Sequence, residues 1–211
     1  MLRRRQQIPV YLDASGIKTL PAMDIHAILR AADSMIGVGG RSLLTKVLKG
    51  SRSKDVLCHG LDQNPAYGFY RGIAAEEVLA RVDWMIVHHY LRIEYQGMLP
   101  VLVFTRQGWE IERENFAKEI VKGFDDMLAD SAGPYAMHYL KDRNRPMILL
   151  VLDKVQASGD PKYLPLLDAW EQVDYPKVQH RIREVKSHLL EQPVLARPAP
   201  VMAGPASHGN S

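Results

Sequence analysis

The sequence predicts a mainly α fold with a small β-wing: a winged helix-turn-helix domain followed by a short helical module. Three observations carry this. Residues 74–90 place Val78, Val82, Met85 and Ile86 on one side at helical spacing. Two short alternating stretches, 91–95 and 100–105, follow at once, separated by Gln96-Gly-Met-Leu99. Beyond them Phe116, Ile120, Phe124 and Leu128 form a further helical stripe, and three prolines, Pro146, Pro161 and Pro176, mark the starts of later helices.

In chain order, Ile8, Val10 and Leu12 alternate with polar or small residues and predict a short strand within an N-terminal arm, residues 1–22. Pro21 and Asp24 suit a helix start, and Ile25, Ile28, Leu29, Ala32 and Met35 supply its apolar face. Gly37-Val-Gly-Gly40 lacks a Gly-Lys-Ser/Thr ending and reads as a cap and turn. A short helix over 41–48 then turns Leu43, Leu44, Val47 and Leu48 inward and stops at Gly50.

The stretch from Arg41 to Lys54 carries Arg41, Lys46, Lys49, Arg52 and Lys54, with Ser51 and Ser53 between them. Long cations, hydroxyls and backbone N–H groups at a helix boundary suit phosphate oxygens. Residues 58–72 read as irregular, and Tyr67, Phe69 and Tyr70 as a cluster packing that loop onto the core. Glu76 and Glu77 open the 74–90 helix; they favour its dipole but repel phosphate, which argues against the usual entry of this helix into the major groove. His88 and His89 are adjacent and cannot both face one metal from a regular helix. In the hairpin, Leu91, Ile93 and Tyr95 alternate with Arg92 and Glu94, giving one buried and one solvated face. Met98 and Leu99 stand at the tip, where apolar side chains can wedge against base pairs or close onto the core.

Composition narrows the function classes. The chain has 211 residues, 46% of them hydrophobic, enough for one domain or two small ones. No apolar run reaches membrane-spanning length, and Met1-Leu-Arg-Arg-Arg is followed by no apolar signal segment, so a cytoplasmic protein with no membrane partner is expected. A single cysteine, Cys58, excludes an internal disulfide and a multi-cysteine zinc site; it reads as buried filler. The net charge of +3 is unevenly spread: residues 1–60 hold ten Lys/Arg against four Asp/Glu, while residues 61–113 hold five against seven. A positive field concentrated in one third of the chain favours a polyanionic partner.

Lys49-Gly-Ser-Arg-Ser, Tyr67-Gly68, the 74–90 helix, the hairpin and Thr105-x-x-Gly108 together resemble the RQC domain, the winged-helix domain C-terminal to the motor in RecQ-family helicases. The resemblance covers residues 25 to 113, and the whole chain resembles the small bacterial RQC-minor type, in which this domain stands apart from a motor. It implies that Lys49, Gly50, Ser51 and Ser53 touch the DNA backbone. Asp55 stands where RQC domains often carry another arginine. The hairpin tip lacks the aromatic that often splits the duplex in RecQ helicases, and the four-cysteine zinc module is absent. The later helices resemble a HEAT-like repeat fragment, a type that offers protein-binding surfaces.

The expected organisation is therefore an arm at 1–22, an RQC-like domain at 23–113, a helical HEAT-like module at 114–190 and a disordered tail at 191–211 rich in Pro, Ala and Gly. With no phosphate loop for ATP and no nuclease constellation, the expected function is non-enzymatic binding of duplex, forked or structured DNA in repair or replication, without a cofactor or metal. DNA-binding candidates are Arg41, Lys46, Lys49, Ser51, Arg52, Ser53, Lys54, Met98 and Leu99. Two alternatives are a scaffold whose residues 136–190 recruit a helicase or nuclease, and a winged-helix transcription regulator.

Overall fold

Residues 7–130 and 133–191 are described by a computed structural model. The arginines at positions 3–5, the break at 131–132 and the tail beyond residue 191 lie outside the described residues. The chain divides into two compact units, one ending at Lys122 and the other starting at Gly123.

The first unit holds α1 (Ala22–Asp33), α2 (Arg41–Lys49), α3 (Lys54–Cys58), α4 (Ala75–Val87), β1 (Leu91–Gln96), β2 (Leu99–Phe104) and the first part of α5 (Arg106–Asp130). Its core is built from the apolar faces of three helices: Ile28, Leu29 and Ala32 of α1, Leu44, Val47 and Leu48 of α2, and Val78, Val82 and Met85 of α4. The principal helix contacts are α2 with α4 and α1 with α2. The strands form a two-stranded antiparallel wing in which Leu91 pairs with Phe104 and Gln96 with Leu99. Leu91 and Leu102 close the wing onto the helices. The far edge of β2 is bonded too: Gly37 N–H donates to the Leu102 carbonyl and Leu102 N–H to that of Gly39, each at 2.9 Å.

Thr105-x-x-Gly108 acquires a physical reason. The Thr105 hydroxyl donates to the carbonyls of His89 and Tyr90 and accepts from Gly108 N–H at 3.1 Å, so it ties the end of α4 to the first turn of α5. A Cβ at Gly108 would stand 2.0 Å from the Tyr90 carbonyl oxygen, so only glycine lets α5 start this close to the preceding backbone.

Four expectations change. Residues 8–12 form no strand: an alternating run needs a ladder, and this one has, among the described residues, a single backbone bond beyond itself, from Ile8 N–H to the Met98 carbonyl at 3.3 Å, supported by Tyr95 Oη donating to the Ile8 carbonyl at 2.9 Å. Residues 54–57, to which the sequence assigned no element, belong to α3, a helix too short to show periodicity, which buries only Val56. Cys58, at its end, is therefore exposed rather than buried. Finally, α4 stops at Val87, and the hairpin turn is the two residues Gly97-Met98 because the ladder extends to Gln96 and Leu99.

The second unit contains the end of α5 and α6 (Arg145–Ser158), α7 (Leu164–Glu171) and α8 (Pro176–Glu191). α6 and α7 both pack on α8, burying Leu152, Val155, Leu166, Leu167, Trp170, Ile182 and Val185. The Trp170 indole donates to Asp174 Oδ2 at 2.7 Å, and Tyr163 Oη to Asp125 Oδ1 at 2.7 Å, so two large side chains are buried with their polar ends satisfied. No helix among the described residues is long and apolar enough to cross a membrane.

Candidate nucleic-acid interface

The turn from α2 to α3 is fixed along its length. Gly50 caps α2 in the left-handed region, with its N–H on the Val47 carbonyl, and Ser51 N–H bonds the Lys46 carbonyl. Ser53 N–H donates to Ser51 Oγ at 3.2 Å, and Tyr67 Oη donates to the Ser51 carbonyl at 3.2 Å. The Ser53 hydroxyl itself is enclosed and unpaired. On this turn Arg52 and Lys54 are exposed, with no ion pair or hydrogen bond from either side chain among the described residues.

The other cations of the same stretch are engaged within the protein. Arg41 bonds Asp83 Oδ2 at 2.5 Å; that oxygen also accepts from Asp13 N–H at 2.9 Å, and Asp83 is only 1% exposed. Lys46 pairs with Asp55 at 2.9 Å on the surface, and its ammonium holds the Asp55 carboxyl below the usual carboxylate range. Lys49 points back to the loop before α4, donating to the carbonyls of Arg71 and Ile73. The basic cluster of the sequence therefore resolves into two outward cations and three inward or paired ones. Desolvating a charge is costly unless it is paired, which is why Arg41 at a buried carboxylate cannot be exchanged freely for a phosphate.

At the wing tip Met98 is 41% and Leu99 62% exposed. The Met98 carbonyl is occupied by Ile8, but both side chains face outward beside Ile8, itself 46% exposed. The first turn of α4 presents Glu76 and Glu77 to solvent, so the usual reading helix offers no cation at its N-terminus. Tyr70 is buried and Tyr67 half-buried, while Phe69 is exposed and stands edge-on to Tyr70.

One residue that the sequence did not single out lies at the same place. Arg71 lines a hollow of about 520 Å³ together with Gly50, Arg52, Leu57, Asp62 and Tyr67. Its only signal in the sequence is a lone cation between Tyr67-Gly68 and Gly72.

Residues 22–122 match the sequence model of the RQC domain family. No curated protein and no solved structure matches the chain. RQC domains are DNA-binding winged-helix domains found in RecQ helicases, and they are binding modules rather than catalytic ones. Three packed helices, an antiparallel wing, the capped turn after α2 and the Thr105–Gly108 junction all fall inside the matched segment. Residues 22–122 of this chain are an RQC-type winged-helix domain.

Proposed function

We propose that this protein holds the sugar-phosphate backbone of duplex DNA through the α2–α3 turn, without catalysing a reaction on it, and that it serves DNA repair or replication in the cytoplasm. The observation that carries this is the pair of exposed, unpartnered cations, Arg52 and Lys54, on a turn fixed at both ends in an RQC domain. Ser51 stands beside them with a half-buried hydroxyl that already accepts from Ser53 N–H, whereas the Ser53 hydroxyl between them is enclosed and offers nothing to a phosphate; Lys46 contributes only by leaving Asp55. Arg41 and Lys49 support the surface from behind. In a salt series with labelled duplex, changing Arg52 and Lys54 together to glutamine is expected to lower the slope of log K against log salt by roughly 1.8, two phosphates' worth on B-DNA. An unchanged slope would place the interface elsewhere.

The wing tip extends this reading to ends and forks. Exposed Met98 and Leu99 would lose water by lying against a terminal base pair, which a continuous duplex does not offer. The double change of Met98 and Leu99 to serine leaves the backbone bond from Ile8 in place. It is expected to narrow the preference for forked over continuous duplex in competition binding. A preference that survives in the folded variant removes both side chains from the DNA contact.

A second reading, recruitment of a protein partner through residues 136–190, is favoured by exposed Tyr139 and Tyr175 on the second unit. Aromatic residues of this kind anchor protein interfaces.

A further inference from the structure

We infer that Arg71 is a backbone-phosphate ligand acting beside Arg52, its guanidinium seated over Gly50 and Gly68, whose left-handed backbones carry no side chain to displace it. This rests on the reading of the α2–α3 turn as a DNA contact and adds a residue from a different segment to it.

The geometry is specific. Gly50 and Gly68 have φ of +70° and +74°, and their backbones meet: a Cβ on Gly50 would lie 3.0 Å from Gly68 Cα. The same Cβ would lie 3.2 Å from Arg71 Nε and 3.3 Å from its Nη2, and one on Gly68 would lie 3.1 Å from Nη2. The guanidinium is thus seated against two glycines of different segments, while the residue remains exposed.

The backbone beneath it is held as firmly. Arg71 N–H donates to the Gly68 carbonyl at 3.0 Å, and the Arg71 carbonyl accepts from Lys49 Nζ at 3.1 Å. Gly68 N–H and Tyr70 N–H donate to the Val47 and Leu48 carbonyls in the last turn of α2. No carboxylate pairs with Arg71 among the described residues; Asp62, across the hollow, accepts instead from Gln63 Nε2 at 3.2 Å. A seated, fully charged guanidinium with no partner, lining one hollow with a second one, matches a phosphodiester oxygen better than it matches any group of this chain. A lysine there would keep the charge but lose the planar fork that meets a phosphate with two N–H groups.

The test uses the full chain and a fluorescently labelled blunt duplex, with anisotropy titrations across a salt series. Four variants are compared with the parent: Arg71→Gln, Arg71→Lys, the Arg52→Gln/Lys54→Gln pair, and Lys122→Gln as a charge control on α5. Arg71→Gln keeps the carbonyl that Lys49 holds, so its fold is expected to persist, as thermal melting would show. The expected result is a slope smaller by about 0.9 for Arg71→Gln, an unchanged slope with weaker binding for Arg71→Lys, and parental behaviour for Lys122→Gln. If Arg71→Gln keeps its slope and affinity while the Arg52/Lys54 pair loses them, the turn binds DNA and Arg71 does not. If neither changes the slope, or the parent does not bind duplex, the reading of the turn falls and this inference with it. An equal loss from Lys122→Gln would show a response to net charge and overturn the assignment of Arg71.

Discussion

Replacing Asp83 with alanine is expected to destabilise the RQC domain by about 3–5 kcal/mol, the usual effect of stripping one partner from a buried ion pair. Asp83 lies on the core side of α4, and its Oδ2 takes both the Arg41 guanidinium and the Asp13 N–H. The substitution leaves Arg41, whose side chain is 24% exposed, facing an apolar interior without a counter-charge. It also frees the Asp13 N–H from its acceptor on α4. Arg41→Met alone strands the Asp83 carboxylate and is expected to cost a similar amount. The double variant, Arg41→Met with Asp83→Leu, is expected to recover much of the loss, because an apolar pair removes both desolvation penalties. Urea titration read at the α4 amide signals measures all three. A cost below about 1 kcal/mol for Asp83→Ala, the range of an exposed pair, would contradict this account. A DNA titration across a salt series separates Arg41 from the proposed DNA surface: a folded Arg41 variant is expected to keep the parental salt slope.

The second large effect is a dependence on pH set by Glu112. This α5 residue is 0% exposed. Its Oε2 accepts from Asn115 Nδ2 at 3.3 Å, whereas Oε1 has no hydrogen bond. Arg30 Nε stands 3.9 Å away but is directed to Glu119, with bonds of 2.6 and 3.1 Å, and its guanidinium lies 3.9 Å over the Phe116 ring. Burial dominates over Arg30 and pushes the Glu112 carboxyl from 4.5 to about 8, with the nearby Asp33 and Glu119 adding in the same direction. At neutral pH the side chain is therefore mostly protonated, and its approach to Arg30 is not an ion pair. The folded state holds a proton that the unfolded state releases above pH 4.5. Stability from this group is complete below that value and is lost as pH rises through about 8. The full difference is on the order of 3–5 kcal/mol. Glu112→Gln, neutral at every pH, is expected to match the parent near pH 5 and to exceed it clearly at pH 9. Parallel stability curves for parent and variant over that interval would show that the carboxyl is not buried in solution.

Much of the architecture was legible because it is local. Val78, Val82 and Met85 on α4, Leu44 and Leu48 on α2, and the Leu91–Ile93–Tyr95 alternation each declare their element within one or two turns or a few strand residues. What failed depends on partners far along the chain. The run 8–12 alternates like a strand yet bonds the wing, some ninety residues later, only through Ile8 among the described residues. Composition showed a basic stretch but not that Arg41 answers Asp83, nor that Lys49 answers the carbonyls of Arg71 and Ile73. Cys58 was misplaced because a residue type's average burial says nothing about a five-residue helix with one inward position. Arg71 was invisible because its setting is made by two glycines eighteen residues apart that become neighbours only when α2 meets the loop before α4.

That meeting has a thermodynamic consequence. The amides of Gly68 and Tyr70 finish the last turn of α2, and Lys49 crosses back to close the other side, so the turn and the loop are laced together. Their conformational freedom is surrendered when the domain folds, not when a nucleic acid arrives. In the proposed complex, association with a phosphate chain would then order little beyond the tips of Arg52 and Lys54, and the entropy released by displaced counterions would not be offset by the entropy of arranging a floppy loop. On the proposed reading the surface would act as a rigid template on which the nucleic acid, the softer of the two bodies, makes whatever adjustment the complex requires.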